Sequence, residues 1–530
     1  MLTRRTLMAA TAAAPLAGVS GQALAKTPPG VVVMAKQIDD VISFDPAEAY
    51  EFTNNEVNAN VYRRLVSPNP ANVSQVIGDL AESWTISPDG KVFTFKLKTN
   101  AKFPSGKMLT AEDVAFSLQR VVKLNKTPAF IISQFGFTKD NVEAAFVAKD
   151  PGTFVMTLPD AAAPSFVLFC LSAAVGSIVE KATVMEHDVG GDLGNAWLKN
   201  HSAGAGAYQL TEWVASDHIT IDANPHSVVK PGVRRVAIRH VADPSAQLLL
   251  LQKGDADIAR DLTPDLLTKV KAAKEFTVTA SGQGSTMYIA MNQNVPELQK
   301  VQVHQAIKWA IDYDAIAKNI TPNQWVVAQG FLPPGLPGAM TAKPFHKDVA
   351  KAKALLAEAG YPNGFSITMD YISQAPYGDI AQAIQADLAA VGIKVTLTPG
   401  EQKQVITKTR ARTHQLAILV WGTDYFDPNS NSQAWCENPD DSDTSKLKIL
   451  AWRSHYVDKE LNDMSLAATK ELDSAKRIKM YQDMQVKFAD RAPFAMVLQK
   501  IASAALGKGV SGFVIGALPD FTKFSDIKKA

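Results

Sequence analysis

The sequence predicts an α/β protein made of two or three compact units, and three observations lead there. The chain has 530 residues, whereas single domains usually run to about 100–200. Residues 31 to 98 read as short strands joined by turns. Between 347 and 421, strand and helix patterns alternate, which implies crossover units on a largely parallel sheet. Hydrophobic residues make up 46% and charged ones 20%, ample apolar material for large cores.

Taken in order, the first 25 residues read as an export signal, not as part of the fold. MLTRRTLMAATAAAPLAGVSGQALA has a basic start, an Ala-rich apolar middle and an Ala23-Leu24-Ala25 end, with cleavage expected after Ala25. Arg4-Arg5 before Thr6, Leu7 and Met8 gives it a twin-arginine character. Pro15, Gly18, Ser20 and Gln22 dilute the apolar stretch below what a membrane-spanning helix needs. With those two arginines set aside, the 54 basic residues fall to 52, equal to the acidic count. A neutral body argues against nucleic acid as a partner, since phosphate binding needs a basic patch.

Residues 31–35 (VVVMA) form an apolar run after Pro29-Gly30, suiting a buried strand. Residues 83–98 read as strand, Pro-Asp-Gly turn, strand: Val92, Thr94, Lys96 and Lys98 alternate with Phe93, Phe95 and Leu97. A helix follows from Thr110, a candidate N-cap with Glu112 and Asp113 in its first turn. Residues 152–158 suggest another strand, and the apolar run 164–179 a piece of core. Helices are expected at 303–320, 347–360 and 379–392, the last two ending on Gly360 and Gly392. Strands are expected at 365–372, 393–399 and 414–421, and a stiff loop at 331–340. The two cysteines, Cys170 and Cys436, are expected to be buried free thiols.

Signals of catalysis are weak. GAGAYQ (204–209) and GQGSTM (282–287) start like G-x-G-x-x-G but lack its last glycine. The histidines fit no metal-ligand spacing, and no nucleophile motif or cofactor fingerprint occurs. The stretch most suggestive of chemistry is WGTDYFDPNSN (421–431), which sets Asp424 and Asp427 among Trp421, Tyr425 and Phe426. It leaves a buried strand at its carboxyl end, where open α/β sheets place ligands. Acids among aromatics suit a cation pocket; a solvated Asx turn is the plainer alternative, and Asp427 before Pro428 starts a turn in its own right.

Several stretches together resemble family 5 of the extracellular solute-binding proteins, the dipeptide-, oligopeptide- and nickel-type receptors of ABC importers. Residues 81–120 carry Trp84, Asp89-Gly90, Phe95, Lys102-Phe103, Gly106, Thr110, Asp113-Val114, Phe116-Ser117 and Arg120 at the family's spacing. GAGAYQLTEW, LLLLQKGDADIA, YIAMNQNVPELQKVQVHQAIKWAID, KAKALLAEAGYPNG and WGTDYFDPNSN follow in the family's order, with Ala205, Ala207 and His304 as departures.

The resemblance implies a two-lobed clamshell with an extra β-rich subdomain. Its expected division is lobe I at 26–53, 185–287 and 499–530, the subdomain at 54–184, and lobe II at 288–498, with crossings near 288–292 and 494–499. It implies a periplasmic monomer that performs no chemistry, needs no cofactor or metal, closes around a small-molecule or peptide ligand, and docks on inner-membrane permease subunits. Asp424 matches the family's acceptor of a peptide α-ammonium, with Trp421 in the same pocket. Tyr377 in APYGD matches a ligand-contacting tyrosine. Tyr425 could add cation–π attraction. From the opposing lobe, Tyr50, Glu51 and Phe52 are candidates. The arginines that bind a ligand carboxylate in dipeptide and oligopeptide receptors are replaced by Ala375 and Ile418. An amine-bearing ligand, most simply a peptide, is therefore supported, while opine, glycoside or metal-chelate ligands stay open. A reading of another class, a secreted hydrolase with Asp424 and Asp427 as acid and base, lacks an accompanying metal or a fixed facing geometry.

Overall fold

The computed structural model describes residues 27–530; the signal segment lies outside them. Its largest feature is one mixed sheet running Lys394–Gly400, Ser366–Ile372, Leu416–Gly422, Thr277–Met291, Phe494–Leu506, Ile258–Ala259, Val31–Lys36, Arg235–His240, His218–Ala223 and Tyr208–Val214. Parallel pairing is confined to two patches, one around Ser366–Ile372 and one around Val31–Lys36. The expectation of a largely parallel sheet is therefore corrected. Two long antiparallel strands, Thr277–Met291 and Phe494–Leu506, stand between the patches and carry the chain from one to the other.

Those two strands pair in two stretches. Thr277–Gly282 runs against 501–506, and 286–290 against 494–499, with the register broken between Gly282 and Thr286. The break lies before the crossing expected at 288–292. Close packing enforces glycine there: a Cβ on Gly284 would sit 2.5 Å from Leu518 and 3.2 Å from Thr423.

The β-rich part forms as the sequence pattern requires. The hairpin Ala81–Ile86 and Val92–Leu97 sets Trp84 opposite Phe95, and Gly90 takes φ +72° in the turn. Phe93, Phe95 and Leu97 face inward and their alternate neighbours outward. Thr153–Thr157 and Phe146–Asp150 complete this four-stranded sheet. The helix Ala111–Leu124 covers it, and the Asp113 carboxylate accepts the Thr110 N–H at 2.9 Å. The run at 164–179 lies in the core, beginning with the helix Pro164–Leu171. Cys170 and Cys436 are free and buried, as expected.

One helix departs from expectation. The segment 303–320 is not continuous: Val301–Ala310 stops at Ile311, whose backbone is extended. A new turn, Tyr313–Ala315, starts where the Asp312 carboxylate accepts the Ala315 N–H and the Asp312 N–H donates to Asp387 at 2.8 Å. Local hydrogen bonding by an aspartate outweighs the helical pattern around it.

Candidate functional site

The strand Leu416–Gly422 begins in the core, with Leu416, Ala417 and Ile418 fully buried, and emerges at half-buried Trp421. Ladder pairing continues one residue further, as the Thr423 N–H donates to Gly284 at 2.7 Å. The loop is then pinned to the helix Pro428–Cys436. Thr423 Oγ1 donates to Asn431 at 2.9 Å, and the Asp424 N–H donates to Ser430 Oγ at 2.9 Å. Asp427 caps that helix, accepting the Asn429 N–H at 2.9 Å. The loop therefore presents its side chains from a fixed backbone.

Each side chain of this loop has a different destination. Asp424 Oδ1 accepts the Tyr50 hydroxyl at 2.5 Å, across 374 residues of sequence. Burial pushes the Asp424 carboxyl up to about 6, while the Tyr50 bond pulls the other way. Burial and the adjacent Asp424 charge push the Tyr50 phenol well above its usual range, so it stays a donor. Oδ2 of Asp424 has no hydrogen-bond partner among the described residues.

Tyr50 stands just before the helix Phe52–Val61, whose N-cap is Glu51. Burial, then repulsion from Asp40, raises the Glu51 carboxyl. Phe52 is 58% exposed, and its ring tip comes within 3.8 Å of where a Cβ on Gly422 would lie. Trp421 is paired in register with Thr286, and both the indole Nε1 and Thr286 Oγ1 are buried without a partner. Tyr377, at the start of the helix Tyr377–Ala390, packs half-buried against the same cluster as Trp421. Thus Tyr50 meets Asp424 directly and Phe52 lies by Gly422, with Glu51 next to both in the chain, while Trp421 and Tyr377 pack together against a neighbouring cluster.

Tyr425 does not join them, correcting its place as a pocket aromatic. It is 1% exposed and belongs to the core of the β-rich subdomain. Its ring lies 6.1 Å from that of Phe166, and its hydroxyl donates to Gln134 and accepts from Asn429. The strand has ended at Gly422, and past Asp424 the loop turns Tyr425 into the packing beside Phe166. Phe426 follows it inward, packing on Phe169 and Phe521.

Asp427, beyond its capping role, forms a buried bidentate pair with Arg477, both bonds being 2.7 Å. Arg477 also donates to Ala468, Tyr481 and Ser165, satisfying the remaining donors of a cation that is 1% exposed. Nothing near Asp427 in the chain signals Arg477; only the burial of a charged loop residue does. A pairing of Asp424 and Asp427 as acid and base is not formed, since the two face different partners. Ile418, where an arginine would bind a carboxylate in oligopeptide receptors, is wholly inside the sheet core.

Among the described residues no cluster of ligands suited to a metal ion occurs, and no helix is long and apolar enough to cross a membrane.

Comparison with known proteins identifies the family and the fold. Residues 75–443 match the model of bacterial extracellular solute-binding proteins, family 5. The probable D,D-dipeptide-binding periplasmic protein DdpA of Escherichia coli K12 is 29% identical over 500 residues, 93% of each chain. The glutathione-binding protein GsiB of the same strain is 26% identical over 487 residues, 91% of each. Among solved structures, the periplasmic binding protein DppA from Helicobacter pylori, in complex with the peptide STSA, superposes with a TM-score of 0.74. It is 24% identical, and the match covers 94% of this chain and 98% of that one. The fold is therefore the two-lobed periplasmic-binding-protein clamshell with its extra β-rich subdomain.

Proposed function

The chain belongs to family 5 of the bacterial extracellular solute-binding proteins, and on that premise we propose that it captures a small peptide by its amino terminus and delivers it to an ABC importer. The observation that carries this is Asp424: a half-buried carboxylate with one oxygen unclaimed, held rigidly at the seam of the two sheet patches. A buried anion without a cation is unfavourable, and an ammonium placed beside it supplies what is missing. The orphaned donors of Trp421 and Thr286 suit a nearby acceptor such as a peptide carbonyl. Trp421, Tyr50, Phe52, Glu51 and Tyr377 line this site, while Tyr425 anchors the loop that holds Asp424. The relatives named for D,D-dipeptide and glutathione binding support a short peptide.

The working unit is a periplasmic monomer, exported with cleavage after Ala25. Lobe I (26–53, 185–287, 499–530), the subdomain (54–184) and lobe II (288–498) close by hinge motion at the register break. Permease subunits in the inner membrane receive the loaded form, and the protein itself catalyses nothing.

Calorimetric titration with D-alanyl-D-alanine, L-alanyl-L-alanine and glutathione, each beside its N-acetylated form, tests this reading. Binding of at least one free amine, lost on acetylation, supports it. Acetylated and free forms binding alike would remove the amine from the site.

A further inference from the structure

Resting on that reading of Asp424, we propose that Lys500 is the cation that takes the peptide's carboxylate, so that the site grips a free dipeptide or tripeptide by both ends. The positions matching the carboxylate-binding arginines of dipeptide and oligopeptide receptors hold Ala375 and Ile418 here. Lys500 lies on a different element, the crossing strand Phe494–Leu506. Register sets it on the same side as the ammonium site. Trp421, Thr286 and Gln499 are paired in one row across three adjacent strands, so they share a face, and their successors Gly422 and Lys500 share the other. Over that other face stands Phe52, whose ring tip is 3.8 Å from where a Cβ on Gly422 would lie. Two strand spacings, about 10 Å, separate Gly422 from Lys500. A peptide of two or three residues extends about 7–11 Å, enough to run from Asp424, two residues past Gly422, to the lysine ammonium.

The lysine also lacks an anion. It is exposed, and its side chain makes no hydrogen bond or ion pair among the described residues. Desolvation by the surrounding protein pulls its ammonium down, Asp261 works against this, and Lys36 adds to it. Solvent access combined with desolvation describes a group in a cleft. Lys36 and Arg260 stand two residues beyond Met34 and Ile258, and Lys500 four before Ala504; Met34, Ile258 and Ala504 share one core, so the three cations belong to one face. Lys36 and Arg260 are both committed to Glu56, and the Asp261 carboxylate accepts the Gln37 N–H and the Gln247 amide. Within this group three cations face two carboxylates, and Lys500 is the one without a partner. A ligand carboxylate supplies the missing charge.

The test is titration of the full-length exported protein with L-alanyl-L-alanine and tri-L-alanine, each beside its C-terminal amide. The wild type should bind at least one free acid about tenfold more tightly than its amide, the worth of one charge-assisted bond. Lys500→Gln should bring that ratio to within about threefold by weakening the free acid and leaving the amide unchanged, and Lys500→Arg should retain the preference. Lys500→Met gives the same reading if the glutamine variant does not fold. A preference that survives in Lys500→Gln, or acid and amide weakened alike, would overturn the assignment. So would a wild type that binds acid and amide equally, and if N-acetylation still abolished binding, the amine-capture reading would stand without this one. A wild type that binds none of the four ligands refutes the amine-capture reading itself, and this inference with it.

Discussion

Replacing Asp424 by asparagine changes one atom, keeps the side chain's shape and leaves an oxygen for the Tyr50 hydroxyl. What it removes is the charge and the Oδ2 acceptor, whose place an amide N–H then takes. The wild-type carboxylate has a single oxygen free, so one charge-assisted hydrogen bond to the ligand ammonium is at stake, about 1.5–3 kcal/mol. At about 1.4 kcal/mol per decade, this is a loss of affinity of about 10- to 100-fold. Titration calorimetry at pH 7.5 with a dipeptide that the wild type binds measures it. A thermal melt of the unliganded variant should show no loss of stability, because burial of the charge is unfavourable in the free protein. Unchanged affinity in a folded variant would refute the reasoning and take Asp424 out of the site.

Further outcomes follow from the same geometry. Affinity should fall on acidification: the free protein holds the Asp424 carboxyl at about 6, and only the ionised form binds an ammonium. Between pH 7.5 and 5 the ionised fraction drops from nearly all to about a tenth, so Kd should rise about tenfold, while the ligand's α-amine stays protonated throughout; a flat profile contradicts this, whereas Asp424→Asn should itself be flat. Asp427→Asn leaves Arg477 buried beside a neutral partner and should cost about 3–5 kcal/mol, read in chemical denaturation; adding Arg477→Leu should recover part of it, and additive losses would deny the pairing. Tyr425→Ala removes a ring buried in the subdomain core, and should cost about 3–5 kcal/mol of stability by analogy with other aromatic truncations, measured by the same denaturation. Cys170 and Cys436 should react with a thiol reagent only after unfolding, and prompt labelling of the native protein would contradict their burial.

Local chemistry made much of this molecule legible in its sequence. The Trp84–Phe95 hairpin, the Thr110–Asp113 cap and the strand leading into Asp424 all express period, turn residues and charge within about a dozen positions of each other. The clamshell came from ordered motifs. What could not be read depends on distance along the chain. Tyr425 looked like a pocket aromatic because composition cannot say which way a loop side chain turns, and the subdomain core that receives it is formed by residues some 250 to 370 positions away. Arg477 stands 50 residues from Asp427 in an ordinary amphipathic helix, with nothing local to mark it as a partner. The direction of the two long strands was hidden for the same reason: an alternating or fully apolar strand carries no record of whether its neighbour runs parallel. The break at Ile311 was hidden by a strong helical pattern: the Asp312 cap is local, but the Asp387 carboxylate that takes the Asp312 N–H lies on another helix.

Native mass spectrometry of the exported protein, purified without added ligand, addresses most directly whether the seam between the lobes holds an amine-bearing peptide. A retained species with the mass of a short peptide is expected, released on acidification below pH 5 and absent from Asp424→Asn. A retained compound without a basic nitrogen, or one held equally by the asparagine variant, would contradict it.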